Sequence, residues 1–176
     1  MDVSSVPAQS FRANQAYYFA EVKTGAHIAL TRYGPTVAVV LPPRDYRRAM
    51  SALRAVAGFG EHAEQQWRLG NRDVQKVSAA VFRRDQADYL DVLENGATHV
   101  AVTRYQDTLG VVLPYADYEY AMFAVRVMDG LAKLAESNGP HDLQAFAALV
   151  DQEMSHREAR VGQQQLLLFK EVAQAS

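Results

Sequence analysis

From residue 27 the chain runs HIALT, RYGP and TVAVVL, and meets a proline at Pro42. Two short β-branched runs on either side of Gly34-Pro35 predict a β-hairpin. The pattern returns from residue 99 as HVAVT, RYQD and TLGVVL, ending at Pro114, with its turn at Gln106-Asp107. Ahead of the hairpins, residues 11–24 and 82–95 are rich in Ala, Gln and Tyr and close on Gly25 and Gly96. Each predicts a helix with a glycine cap. Residues 6–10 and 77–80 read as short extended lead-ins. Asp45 and Asp117 open a further helix, where a carboxylate suits the helix dipole. Each copy predicts the order β-α-β-β-α.

Aligning residues 6–50 with 77–122, with Thr98 as one insertion, gives 23 identities in 45 pairs. Unrelated chains would share roughly 5–7% at ordinary residue usage. Two copies of about 70 residues argue for a duplicated small domain rather than a solenoid. A hairpin and one helix cannot bury their own apolar face. Two linked copies can bury it against each other at high effective concentration. The expectation is an α+β fold in which two units form an intramolecular pseudo-dimer, followed by C-terminal helices. The divisions expected are 1–76, 77–138 and 139–176.

A hydrophobic fraction of 49% is that of a globular chain. There is no cysteine, so neither a disulfide framework nor a thiolate metal site is possible. No run approaches the roughly 20 apolar residues that cross a bilayer, and MDVSSVPAQSF lacks a secretory pattern. A cytoplasmic protein without membrane contact is expected. The net charge of −2 conceals a gradient: residues 1–60 hold seven basic groups against three acidic, residues 61–125 six against ten, and residues 126–176 five against seven. Only the first part attracts polyanions.

Chemistry-bearing motifs are few. The five histidines, His27, His62, His99, His141 and His156, show no metal spacing, and no phosphate loop or nucleophile elbow is present. No enzyme, metal or cofactor is expected. His27 and His99 occupy one strand position twice, which suggests a structural or interface role. The repeated pairs Tyr18/Tyr89, Tyr33/Tyr105 and Tyr46/Tyr118 are expected in the core or at an interface. Arg44, Arg47, Arg48 and Arg54 are expected on a solvated helix face.

The run SFRANQAYYFAEVKTGAHIALTRYGPTVAVVLPPRDYRRAM resembles the Phd/YefM family of bacterial antitoxins. The carrying features are a Phe-Arg start to a helix containing AEV, a Gly, the hairpin LTRYGPTVAVVL, and Asp-Tyr opening the next helix. The second copy, VTRYQDTLGVVL, lacks the Gly-Pro. The resemblance covers about half the chain. Both copies are about one helical turn shorter between Phe and Gly than the family's usual pattern, and tandem duplication is not its usual arrangement.

The resemblance implies dimerisation through the sheet, operator DNA binding by the N-terminal part, repression of the operon, and toxin neutralisation by a C-terminal tail. It maps the DNA-reading region onto the helices starting at Phe11 and Phe82. There Arg12 and Gln15, and Arg83 and Gln86, stand three apart on one predicted helix face, beside Asn14 and Arg84. Arg suits guanine and Gln suits adenine, so two such pairs would read two half-sites. Asp85, Asp88 and Asp91 place like charge near a phosphate backbone in the second copy.

Residues 122–136 continue the second copy's last helix up to the breaker SNGP. Leu143, Phe146, Ala147, Val150 and Met154 then step at helical spacing. Leu166, Leu167, Leu168 and Phe169 are consecutive, so no single helix face holds them. Leu143, Phe146, Val150 and Leu166 to Phe169 are the residues expected to bind a toxin, or else to pack on their own chain or on a second copy. Two readings follow: an antitoxin-type DNA-binding repressor, or a protein-binding module or scaffold of the same fold that no longer reads DNA.

Overall fold

The computed structural model describes residues 3–57, 68–96 and 98–137, with side chains of the last helix described through residue 133. Two compact units divide the chain, residues 1–47 with 72–118, and residues 48–71 with 119–176.

The first unit is built on one six-stranded sheet. Its strands are β1 (Val3–Pro7), β2 (His27–Thr31), β3 (Thr36–Leu41), β4 (Val74–Ser78), β5 (His99–Arg104) and β6 (Asp107–Pro114). Their spatial order is β1-β2-β3-β6-β5-β4. Each lead-in is a full strand parallel to the first strand of its own hairpin, Val3 opposite His27 and Val74 opposite His99. The hairpins meet at the centre, where β3 and β6 pair antiparallel with Val40 opposite Val112. These are the same position of the repeat, so the register places a local two-fold axis on that pair.

The helices start earlier than their apolar pattern predicts, and they are interrupted. Helix α1 (Ala8–Ala13) and α2 (Gln15–Lys23) are separated at Asn14, with φ −116° and ψ 34°. Helix α4 (Ala79–Arg84) and α5 (Gln86–Glu94) are separated at Asp85 in nearly the same conformation. Short polar side chains at such a joint compete for backbone hydrogen bonds, and Asn14 Nδ2 donates to the Ser10 carbonyl at 3.4 Å. Ser78 caps α4 by accepting from the Val81 amide, whereas its counterpart Pro7 cannot. Gly25 and Gly96 end α2 and α5 with φ of +109° and +65°, as a glycine cap requires.

The core lies between these helices and one face of the sheet. Phe11 and Phe82 are fully buried in it with Val22, Leu30, Leu93 and Val102. Tyr18 stacks on Phe11 at 5.4 Å, and Tyr89 lies 5.6 Å from Phe82. Helix α2 packs on β6 and α5 on β3, so each copy's helix covers the other copy's central strand. A Cβ on Gly110 of β6 would lie 3.0 Å from Val40 Cγ1, 3.2 Å from Phe19 and 3.3 Å from the Leu41 carbonyl. In the other half the corresponding residues are Ala38 and the smaller Leu90.

Helix α3 (Pro43–Val56) begins in the first unit and continues into the second, as does α6 (Tyr115–Ser137). Within the second unit Ala49, Leu53 and Leu69 are buried. Arg48 pairs with Asp129 at 2.5 Å, and Arg54 donates to the Gly70 carbonyl at 2.6 Å. Arg44, Arg47, Arg48 and Arg54 are all exposed.

Candidate nucleic-acid interface

Two buried polar networks fix the geometry on which any binding face depends. His27 and His99 open β2 and β5 and are 0% exposed. His27 Nδ1 lies 3.1 Å from the Tyr118 hydroxyl and Nε2 lies 3.4 Å from Asp45 Oδ2. His99 Nδ1 lies 2.9 Å from the Tyr46 hydroxyl and Nε2 lies 3.0 Å from Asp117 Oδ2. Each imidazole therefore takes its carboxylate from its own copy and its tyrosine from the other. A neutral ring with its proton on Nε2 satisfies both contacts, donating to the carboxylate and accepting from the phenol. Burial holds the His27 pKa below the ordinary imidazole value, against the pull of Asp45. Arg72 Nη1 sits 3.2 Å from Asp117 Oδ2, close enough for charge attraction though off hydrogen-bond geometry. The duplicated His and Tyr were visible in the sequence, but their crossed pairing follows from the β3–β6 register.

At the outer ends of the same halves, α1 and α4 come together. Gln9, Arg12 and Ala13 of α1 face Ala80, Arg83 and Arg84 of α4 across a cleft of about 460 Å³. These are matching positions of the two copies. Arg12 Nη2 donates to the Arg84 carbonyl at 3.1 Å, which fixes how near the helices lie. A second cleft of about 410 Å³ shares Gln9 and Arg12 and runs toward Arg32, Tyr33 and Leu90. The result is an arginine-lined groove centred between the copies. Two separate half-sites one helical turn of DNA apart are not what these helices form.

The structure separates the six expected DNA-contacting residues. Arg12, Asn14, Arg83 and Arg84 are exposed. Gln15 and Gln86 are buried, at 7% and 3% exposure, and cannot reach a base edge. Gln86 Nε2 instead donates to the Ala8 carbonyl at 2.7 Å. The break at Asn14 and Asp85 is the reason, since it ends the helical phase that would have kept Arg12 and Gln15 on one face.

Charge on the groove is uneven. Arg84 Nε and Nη2 each bond Asp85 at 2.7 Å, which holds the Asp85 carboxyl below its usual range and raises Arg84. Arg12 and Arg83 make no ion pair among the described residues. Arg32 bonds Asp91 and lies 3.7 Å from Glu94, contacts between copies that its hairpin position gave no means of foreseeing. The hydrogen bond to Asp91 raises Arg32, and partial burial pushes Glu94 up. Tyr33 and Tyr105, expected in the core or at an interface, are outside the core, 80% and 93% exposed at the hairpin tips, with φ of +54° and +56°. The turn geometry outranks their apolar character.

The expected partner-binding residues Leu143, Phe146, Val150, Leu166, Leu167, Leu168 and Phe169 lie outside the described residues, as do His62, His141 and His156. Among the described residues no group of three or more His, Asp or Glu is placed to hold a metal, and no helix is long and apolar enough to cross a membrane. Comparison of the chain with protein-family models, curated proteins and solved structures returns no match.

Proposed function

We propose that this chain is a tandem Phd/YefM-like antitoxin, its two halves standing in for two subunits. In this reading it is a cytoplasmic, non-enzymatic transcriptional repressor without a cofactor. The observation that carries it is the convergence of Arg12, Arg83 and Arg84 on one groove between matching helices. Guanidinium groups in such a groove suit the closely spaced phosphates of a duplex. The segment 139–176 is assigned the toxin-binding role on its apolar pattern, with self-association as a further use.

The test is a salt-titrated mobility shift on DNA from upstream of the chain's own gene. Binding is expected to weaken steeply with salt, and Arg12→Ala to lower the salt slope by about one. No shift at low salt sinks the repressor reading. Burial of Gln15 and Gln86 and capture of Arg84 by Asp85 favour a second reading, a protein-binding scaffold that does not touch DNA. That reading predicts retained toxin binding with no shift.

A further inference from the structure

The second cleft joins Arg12 to the first hairpin tip at Arg32 and Tyr33, and the two-fold register puts the second tip, Arg104 and Tyr105, at the matching place on the side of Arg83. The two sides are not equivalent, and the difference lies in one helix. Helix α5 carries Asp88, Asp91 and Glu94 and no cation. Its counterpart α2 carries Glu21 and Lys23. The positions matching Asp91 and Glu94 are Ala20 and Lys23, so α5 offers the arginine at the tip of the first hairpin two carboxylates, and α2 has none at the matching places. Arg32 is held by Asp91 and Glu94. Arg104 is exposed and makes no ion pair among the described residues, with its cross-strand neighbour Asp107 included. It lies 5.9 Å over the ring of Tyr105, the most exposed large hydrophobic residue described.

We propose that this face is directional toward duplex DNA. The arm made by Arg83 and the Arg104–Tyr105 tip grips the phosphate backbone. The arm around Arg12 contacts it more weakly, because Asp91 and Glu94 withhold Arg32 and present negative charge. The preferred site is therefore a non-palindromic duplex bound in one orientation, although the scaffold is two-fold. This rests on the DNA-binding reading above and adds polarity to it. The physical reason is additive: each guanidinium left free to displace a counterion from a phosphate strengthens binding, and each carboxylate ion-paired to it removes that gain. Asp107 stands opposite Arg104 without pairing to it, one negative charge on that arm against the two of Asp91 and Glu94 on the other.

The probe is a pool of duplex DNA with a randomised centre, selected against the intact chain at low salt and sequenced. A non-palindromic enriched motif is expected. On that motif Arg104→Ala should weaken binding about tenfold, and Arg32→Ala less than about twofold. The double variant Asp91→Ala, Glu94→Lys gives α5 the residues of α2. It should tighten binding, steepen the salt slope by about one, and draw the enriched motif toward a palindrome. A palindromic motif for the unaltered chain, equal losses from the two arginine variants, or a double variant that behaves like the parent each overturns the directional proposal and leaves DNA binding standing. Absence of any salt-sensitive enrichment overturns DNA binding itself, and this inference with it.

Discussion

His99 and His27 hold the same place in their copies, yet their surroundings are not equally tight. Asp117 lies 3.0 Å from His99, has a side chain 10% exposed, and is backed by Arg72. Asp45 lies 3.4 Å from His27 with 26% of its side chain exposed. At the hairpin tips the copies differ more: Arg32 meets two carboxylates, and Arg104 makes no ion pair among the described residues. Both differences lie where the copies touch, since Asp91 and Glu94 belong to the second copy and Arg32 to the first. A two-fold arrangement makes each such contact twice, and substitution in one copy alters only one of the two.

The sharpest way to break the comparison is to remove the two aspartates separately. Asp117→Ala leaves Arg72 without its counter-charge and a fully buried imidazole without its acceptor, and should cost about 2–4 kcal/mol. Asp45→Ala should cost about 1 kcal/mol, since water reaches that carboxylate. Urea unfolding of both variants reads the difference. Equal losses would mean the two networks are equally tight, against the distances.

Gly110 allows a second test. Gly110→Ala should destabilise by about 1–2 kcal/mol by overpacking against Val40, Phe19 and the Leu41 carbonyl. Adding Phe19→Leu reproduces the Leu90 and Ala38 combination of the other half and should recover much of the loss. A double variant no better than the single one would show that β3, through Val40 and the Leu41 carbonyl, and not the ring, sets the limit.

Protonation probes the His27 network. His27 has a folded pKa below its unfolded value of about 6.5, so the unfolded chain binds the proton more readily. Its contribution to stability is complete above about pH 6.5 and is lost as pH falls toward the folded pKa, by at most about 1.4 kcal/mol per pH unit. Thermal midpoints measured between about pH 5 and 7 should slope less in His27→Gln than in the parent. The smallest effect is at the hairpin tips. Tyr33→Asn and Tyr105→Asn relieve a left-handed backbone and should each raise stability by up to about 1 kcal/mol.

Hairpins, glycine caps and the duplication were legible because they rest on local chemistry. β-branched runs select strands, and Gly25 and Gly96 suit the positive φ that ends each helix. The parallel strands β1 and β4 were half legible. Val6 and Val77 marked them, but their exposed first residues show an apolar pattern only after pairing is known. The break at Asn14 and Asp85 left a trace, a short polar residue at the same place in both copies, but no proline or glycine to announce it. Missing it placed Gln15 and Gln86 outside when they are inside. The crossed His–Tyr pairs and the Arg32–Asp91 contact depend on register between distant strands, which no local pattern encodes.

The opposition of Val40 and Val112 at the centre of the sheet also has a kinetic consequence. The two strands belong to one molecule, so bringing them together is a first-order event. Closing the intervening loop of about 70 residues carries an entropic cost that grows only with the logarithm of its length. Dilution does not slow that encounter, and refolding of the sheet should proceed at a rate indifferent to protein concentration.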